Sequence, residues 1–133
     1  MRKGRGRMAQ VLLFNIGAEK KKKIRFLLIK LGAACREIPP EDFARTLAEL
    51  TCRDGAAAPD GAAEPFDGEM LVMDGLNSDK LRGLLDGLRR VKAPVALKAV
   101  VTEQNLTWSA SRLYAELCAE HEAMKRGGSA HGG

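Results

Sequence analysis

Pro94-Val95-Ala96-Leu97-Lys98-Ala99-Val100-Val101-Thr102, running on into Glu103-Gln104-Asn105-Leu106-Thr107-Trp108, decides the order of the sheet. It reads as a strand with one charge in its middle, then a polar loop that leads into a helix. A lone lysine in an apolar strand is costly unless it reaches water or a partner. The segment is therefore an edge strand. Two runs elsewhere, Val11-Leu12-Leu13-Phe14 and Met70-Leu71-Val72-Met73, are apolar on both faces and belong at the centre. Ala34–Ile38 carries Arg36 and Glu37 and forms the other edge.

Between the strands the spacing changes to that of helices. Ile24, Leu27, Leu28 and Leu31 give Glu19–Leu31 one buried face, and Gly32 stops it. Pro40 suits the first turn of a helix running to about Thr51, with Phe43, Leu47 and Leu50 inward. Leu81, Leu84, Leu85 and Leu88 repeat the first pattern behind Asn77, a helix cap. The last helix spans about Thr107 to Lys125, with Leu113, Leu117 and Met124 inward. The order βαβα–βαβα predicts an α/β protein, a single small three-layer domain. Its four-stranded parallel sheet has helices on both faces and the order 2-1-3-4, flavodoxin-like or Rossmann-like. The first and last helices should share one face and the middle two the other.

The folded domain is expected over 9–125. A basic, disordered tail (1–8) precedes it, an Ala, Gly, Pro and Asp-rich linker (53–67) interrupts it, and a disordered tail (126–133) follows. The chain has 133 residues, 22 Lys and Arg, 17 Asp and Glu and a formal charge of +5. Arg2, Lys3, Arg5 and Arg7 supply most of that excess, since without them 18 basic residues face 17 acids. No aromatic residue is interleaved with these arginines and lysine, which weighs against a nucleic-acid arm. Met8 is an alternative start. No apolar run approaches a membrane span or a signal peptide, so the expected location is cytoplasmic.

Three separated cysteines and two histidines, one of them in the Gly-rich tail, offer no zinc ligand set, no redox pair and no evident catalytic base. The first turn, Asn15-Ile16-Gly17-Ala18-Glu19-Lys20, lacks both G-x-G-x-x-G and a Walker loop. Neither a cofactor nor a metal is expected. Parallel sheets bind ligands at the C-terminal strand ends, at the switch point between the first and third strands. That rule gathers Asn15, Gly17 and Asp74, with Thr102, Asn105 and Thr107 beside them. Lys98 has two readings. It either snorkels from the edge strand or supplies charge under an anion held by Thr102 and Asn105, roughly 10–13 Å along the strand. Trp108 reads as an anchor under the start of the last helix.

The run Glu69-Met70-Leu71-Val72-Met73, the Leu81–Leu88 helix and the pattern Ala96-Leu97-Lys98-Ala99-Val100, Thr102, Asn105, Trp108 and Leu113-Tyr114-Ala115-Glu116-Leu117 resemble a bacterial domain of unknown function, number thirty-seven eighty-three. The resemblance covers the C-terminal half. It implies a small cytoplasmic bacterial protein, implies no activity and carries over no catalytic residue. The expected function is a non-catalytic binding or regulatory module for a small anionic ligand or a protein partner, not for nucleic acid or membrane. The alternatives are a transferase-like enzyme using Asp74, Thr102 and Asn105, and a self-associating interaction module.

Overall fold

A computed structural model describes residues 9–51 and 66–130 of the chain, with side chains as far as Lys125. The 1–8 tail, all but the last two residues of the 53–67 linker and residues 131–133 lie outside the described residues, whereas 126–130, expected to be a disordered tail, are helical. Four strands, β1 (Gln10–Phe14), β2 (Ala34–Glu37), β3 (Met70–Asp74) and β4 (Leu97–Val100), form one sheet of order β2-β1-β3-β4. Every residue of β1 and β3 is buried, whereas β4 alternates half-buried and exposed. Polarity along each strand thus placed the centre and the edges correctly.

The direction of the central pair differs from expectation. β1 runs parallel to β2, and β3 runs parallel to β4, but β1 and β3 are antiparallel. Gln10 pairs with Asp74, Leu12 with Val72 and Phe14 with Met70. The sheet is therefore mixed, not purely parallel. The reason lies in the second helix. Parallel neighbours need a crossover of a dozen or more residues, usually a helix, and α1 (Ala18–Leu31) and α3 (Ser78–Arg90) serve as such crossovers. Between β2 and β3 the described chain offers only a 3-10 turn, Pro40–Asp42, and a single helical turn, α2 (Leu47–Leu50). Among the described residues no long second helix forms to cover a doubly wound sheet.

Antiparallel pairing also relocates the helices. Val11, Leu13, Leu71 and Met73 point to one face, where Ile24, Leu27 and Leu28 of α1 meet Leu84 and Leu88 of α3. Leu12, Phe14, Met70 and Val72 point to the other, against Phe43, Leu47, Leu50 and Leu113. So α1 shares its face with α3, and α2 shares the opposite face with α4 (Ala110–Ala130). The expected pairing of first with last helix does not occur. Gly87 lets α1 approach α3, because a Cβ there would stand 2.8 Å from Leu27 Cδ2.

Local chemistry sets the helix ends. Gly32 takes the left-handed conformation, φ 74°, that ends α1. Asn77 Oδ1 accepts from the Lys80 amide at 2.8 Å and caps α3. Thr46 and Glu49 make a reciprocal capping box on α2. The free amides of α2 then find partners in the loop before α4: Leu47 N–H donates to Trp108 O and Ala48 N–H to Leu106 O, both at 2.9 Å. In return Ser111 N–H donates to Phe43 O at 3.1 Å, so the 43–51 segment is stitched to 105–111.

Replacing Gly87 with leucine should destabilise the protein by about 1–3 kcal/mol, the usual cost of overpacking a close contact. Urea unfolding measures this. A neutral or stabilising substitution contradicts the proximity of α1 and α3 described above.

Candidate functional site

Reversal of β3 splits the expected site. The C-terminal end of β1 lies beside the N-terminal end of β3, so Asn15 and Gly17 sit at one end of the sheet and Asp74 at the other. No switch point joins them. Asn15, at φ 59°, uses its Nδ2 to donate to Phe66 O at 2.9 Å and Gly68 O at 3.0 Å. It clamps the chain entering β3. Gly17 precedes α1 and has no neighbour within 4 Å of where a Cβ would stand. Lys20, in the first turn of α1, donates to Glu69 and to Pro94 O, both at 2.7 Å. An open cavity of about 390 Å³ beside Asn15 is lined by Ile16, Glu37, Ile38, Pro39 and Pro40. Glu37 in turn accepts from Lys21 at 2.7 Å.

At the opposite end Asp74 is buried, 1% exposed, on the α2–α4 face. Gln10 Nε2 donates to its Oδ2 at 3.0 Å and to Thr51 O at 3.4 Å. Arg36 Nη1 reaches Gln10 Oε1 at 3.4 Å and also donates to Leu50 O. A cation, an amide and a carboxylate thus line up across β2, β1 and β3 and hold the C-terminal end of α2 on the sheet. Gln10 was not among the residues expected to matter. It begins an apolar strand, and only antiparallel register puts it opposite Asp74. In a parallel pair it would face Met70.

Thr102 and Asn105 share that end of the sheet, but each serves the other. Asn105 Oδ1 accepts from Thr102 N–H at 2.8 Å, and Thr102 Oγ1 accepts from Asn105 N–H at 3.1 Å. Asn105 Nδ2 adds a bond to Val100 O at 3.1 Å. The pair ends β4 as a closed turn. Thr107 is exposed in the loop beyond. Lys98 pairs with Leu71, which places it on the α1–α3 face, across the sheet from Asp74. Its Nζ donates to Val95 O at 2.6 Å. Of the expected set, the structure brings together Asp74, Thr102 and Asn105 at one end. Asn15, Gly17 and Lys98 lie elsewhere.

An aromatic stack on the α2–α4 face holds Tyr114, whose pKa is raised above its ordinary value. Phe43 and Phe66 stack at 4.3 Å, and Phe66 and Tyr114 at 4.2 Å. The Cys118 side chain, one turn along α4, is hydrogen-bonded to the Tyr114 hydroxyl and raises its pKa, and burial adds to the effect. The nearby Gly68 backbone acts in the opposite direction without cancelling it. A Cβ at Gly68 would collide with that hydroxyl. Trp108 is half-buried, with the Arg112 guanidinium 4.4 Å above its ring. Among the described residues no three His, Cys, Asp or Glu side chains gather as a metal would need. No described helix is long and apolar enough to cross a membrane.

Residues 69–124 match the model of a family described as a domain of unknown function, DUF3783. The matched segment is β3, α3, β4 and most of α4. No curated protein matches the chain, and no solved structure does.

Tyr114 is the single tyrosine, so its phenolate absorbance can be followed directly. The fold favours its neutral form, and that contribution to stability is present below the ordinary value of 10.0 and lost as pH rises through the higher folded value. Titration should show a midpoint above 10, and Tyr114→Phe should remove this alkaline loss. A midpoint at or below 10 contradicts the Cys118 contact.

Proposed function

We propose that the protein is a non-catalytic binding module whose ligand is another protein, contacted through the outward face of α1. The observation that carries this reading is the exposure of Phe26 at 59% and Ile29 at 69% on a helix whose inner face is already packed. Both lie among exposed Lys22, Lys23 and Lys30, and Lys30 Nζ stands 5.0 Å from the Phe26 ring centroid. A pair of large apolar side chains ringed by cations suits a partner with apolar and acidic groups together. The small-anion alternative has less support, because Thr102 and Asn105 are bonded to each other and Lys98 to Val95 O. The transferase-like alternative needs Asp74, Thr102 and Asn105 open to one substrate, whereas Asp74 and Asn105 are buried in hydrogen bonds. On the resemblance, we place the protein in a bacterial cytoplasm.

The double variant Phe26→Ser, Ile29→Ser changes only exposed side chains, so stability should stay within about 0.5 kcal/mol. Tagged protein recovered from its source cells should carry a bound protein, an untagged copy of itself included, that the double variant loses. Titration with inorganic phosphate should give no saturable heat. Identical bound proteins on both forms, or phosphate binding abolished by Lys98→Met, would sink the reading.

A further inference from the structure

We infer that the seam between β1 and β3 is an assembly interface, and that the partner it fits is the complementary unit of a second copy of this chain. An internal two-fold axis carries this reading. The first unit, β1 to α2, and the second, β3 to α4, repeat one another element by element.

Through the long helices, equivalent residues stand sixty positions apart, as Gln10 and Met70 do at the starts of β1 and β3. Asn15 and Gly75 both take positive φ, 59° and 80°, and so do Gly32 and Lys92, 74° and 60°. Ile24 and Leu84, Leu28 and Leu88, and Ala33 and Ala93 are buried in pairs. Ala33 N–H donates to Leu28 O and Ala93 N–H to Leu88 O, both at 2.9 Å. Three more residues then lead into β4 than into β2, and the spacing becomes sixty-three. Ile38 N–H donates to Leu13 O as Val101 N–H donates to Met73 O. Thr46 Oγ1 accepts from Glu49 N–H, and Ser109 Oγ accepts from Arg112 N–H, so α2 and α4 start with the same cap. Most of these pairs differ in side chain, but the backbone they build repeats.

Contacts between the units are reciprocal. Leu12 pairs with Val72 at the middle of the seam, and Thr46 forms an antiparallel bridge with Ser109. Each is a pair of equivalent residues, so the axis passes through both. Around the bridge, Leu47 N–H donates to Trp108 O and Ala110 N–H to Arg45 O. Ala48 N–H donates to Leu106 O and Ser111 N–H to Phe43 O. Each bond thus has its two-fold mate. When two copies of one subunit meet about a two-fold axis, residue i touches j and j touches i, as here. The family match, residues 69–124, covers one such unit.

The ends of the seam decide which units pair. Gln10 faces Asp74, and Phe14 faces Met70. Two second units would set Met70 against Asp74 at both ends and take the Gln10 amide from the buried carboxylate. Two first units would set Gln10 against Phe14. A first unit therefore fits a second unit and not its own kind. Within one chain, residues 52–65 tether the two and pairing in cis prevails. Near a chain concentration of about 1 mM, comparable with the effective concentration a short tether gives, units exchange between chains. The equivalents of Phe26 and Ile29 are Asp86 and Arg89, an ion pair, so the outer face of α1 takes no part in this pairing.

Shortening the tether, with both units left whole, tests the inference. Thr51 O lies 3.4 Å from Gln10 Nε2 and Phe66 O 2.9 Å from Asn15 Nδ2, at opposite ends of β1. The gap is about 16 Å by strand rise. Deleting residues 53–65 leaves one residue between Thr51 and Phe66, a reach of about 8 Å, whereas deleting 53–58 leaves a reach of about 30 Å. The 53–58 deletion should be a folded monomer. The 53–65 deletion should fold only together with other chains: sedimentation velocity should show two or more chains per particle, and Tm should rise with protein concentration. In a mixture of isotope-labelled and unlabelled chains, Overhauser contacts between Gln10 of one chain and Asp74 of another should place the seam between chains. A 53–65 deletion that folds as a monomer, or that associates without this contact, overturns the inference. So does one that stays unfolded at about 1 mM while the 53–58 deletion folds, since units then exist that do not pair between chains.

Discussion

The antiparallel pairing of β1 with β3 is the constraint on which the rest of the molecule depends. Two βαβ units, each internally parallel, meet along this one seam. Pairing in this sense sends α1 and α3 to the same face and leaves the other face to α2 and α4. It also brings the two ends of the central strands together in pairs: Gln10 with Asp74, Phe14 with Met70. The first of these becomes the buried polar tie that reaches Arg36 and the end of α2. The second lies beside the aromatic stack of Phe14, Phe43, Phe66 and Tyr114. Removing either end of the seam would therefore disturb a different set of contacts.

How much of this could be read from residues depends on which physical quantity they report. Burial is written in composition. Arg36, Glu37 and Lys98 mark the edges, and the unbroken apolar runs mark the centre, so the strand order was legible. Direction is not written there. Met70-Leu71-Val72-Met73 presents nearly the same apolar ladder read either way, so its polarity relative to Val11–Phe14 leaves no trace in the pattern. The helix stop at Gly32 and the helix start at Asn77 were legible because each depends on one residue's own backbone or side chain. The second helix was not: the Thr46–Glu49 capping box is local, but the bonds to Leu106 and Trp108 that hold this single turn in place are contacts at long range. The candidate site inherited the error in direction. Asn15 and Asp74 belong to one site only in a parallel sheet, and the pairing of Gln10 with Asp74 exists only in an antiparallel one.

The family match gains meaning from the same seam. It spans β3 through most of α4, and within that segment β3 has a neighbour on one side only, β4. The other side of β3 is closed by β1, which lies outside the match. The N-terminal unit supplies that central strand, and it supplies α1 with its exposed Phe26 and Ile29.

Backbone nuclear Overhauser contacts between β1 and β3 test the seam most directly. The account predicts cross-strand contacts between Gln10 and Asp74, Leu12 and Val72, and Phe14 and Met70. Contacts between Gln10 and Met70 together with Phe14 and Asp74 would mean parallel pairing. They would contradict the account, restoring the switch point and dissolving the tie between Gln10 and Asp74.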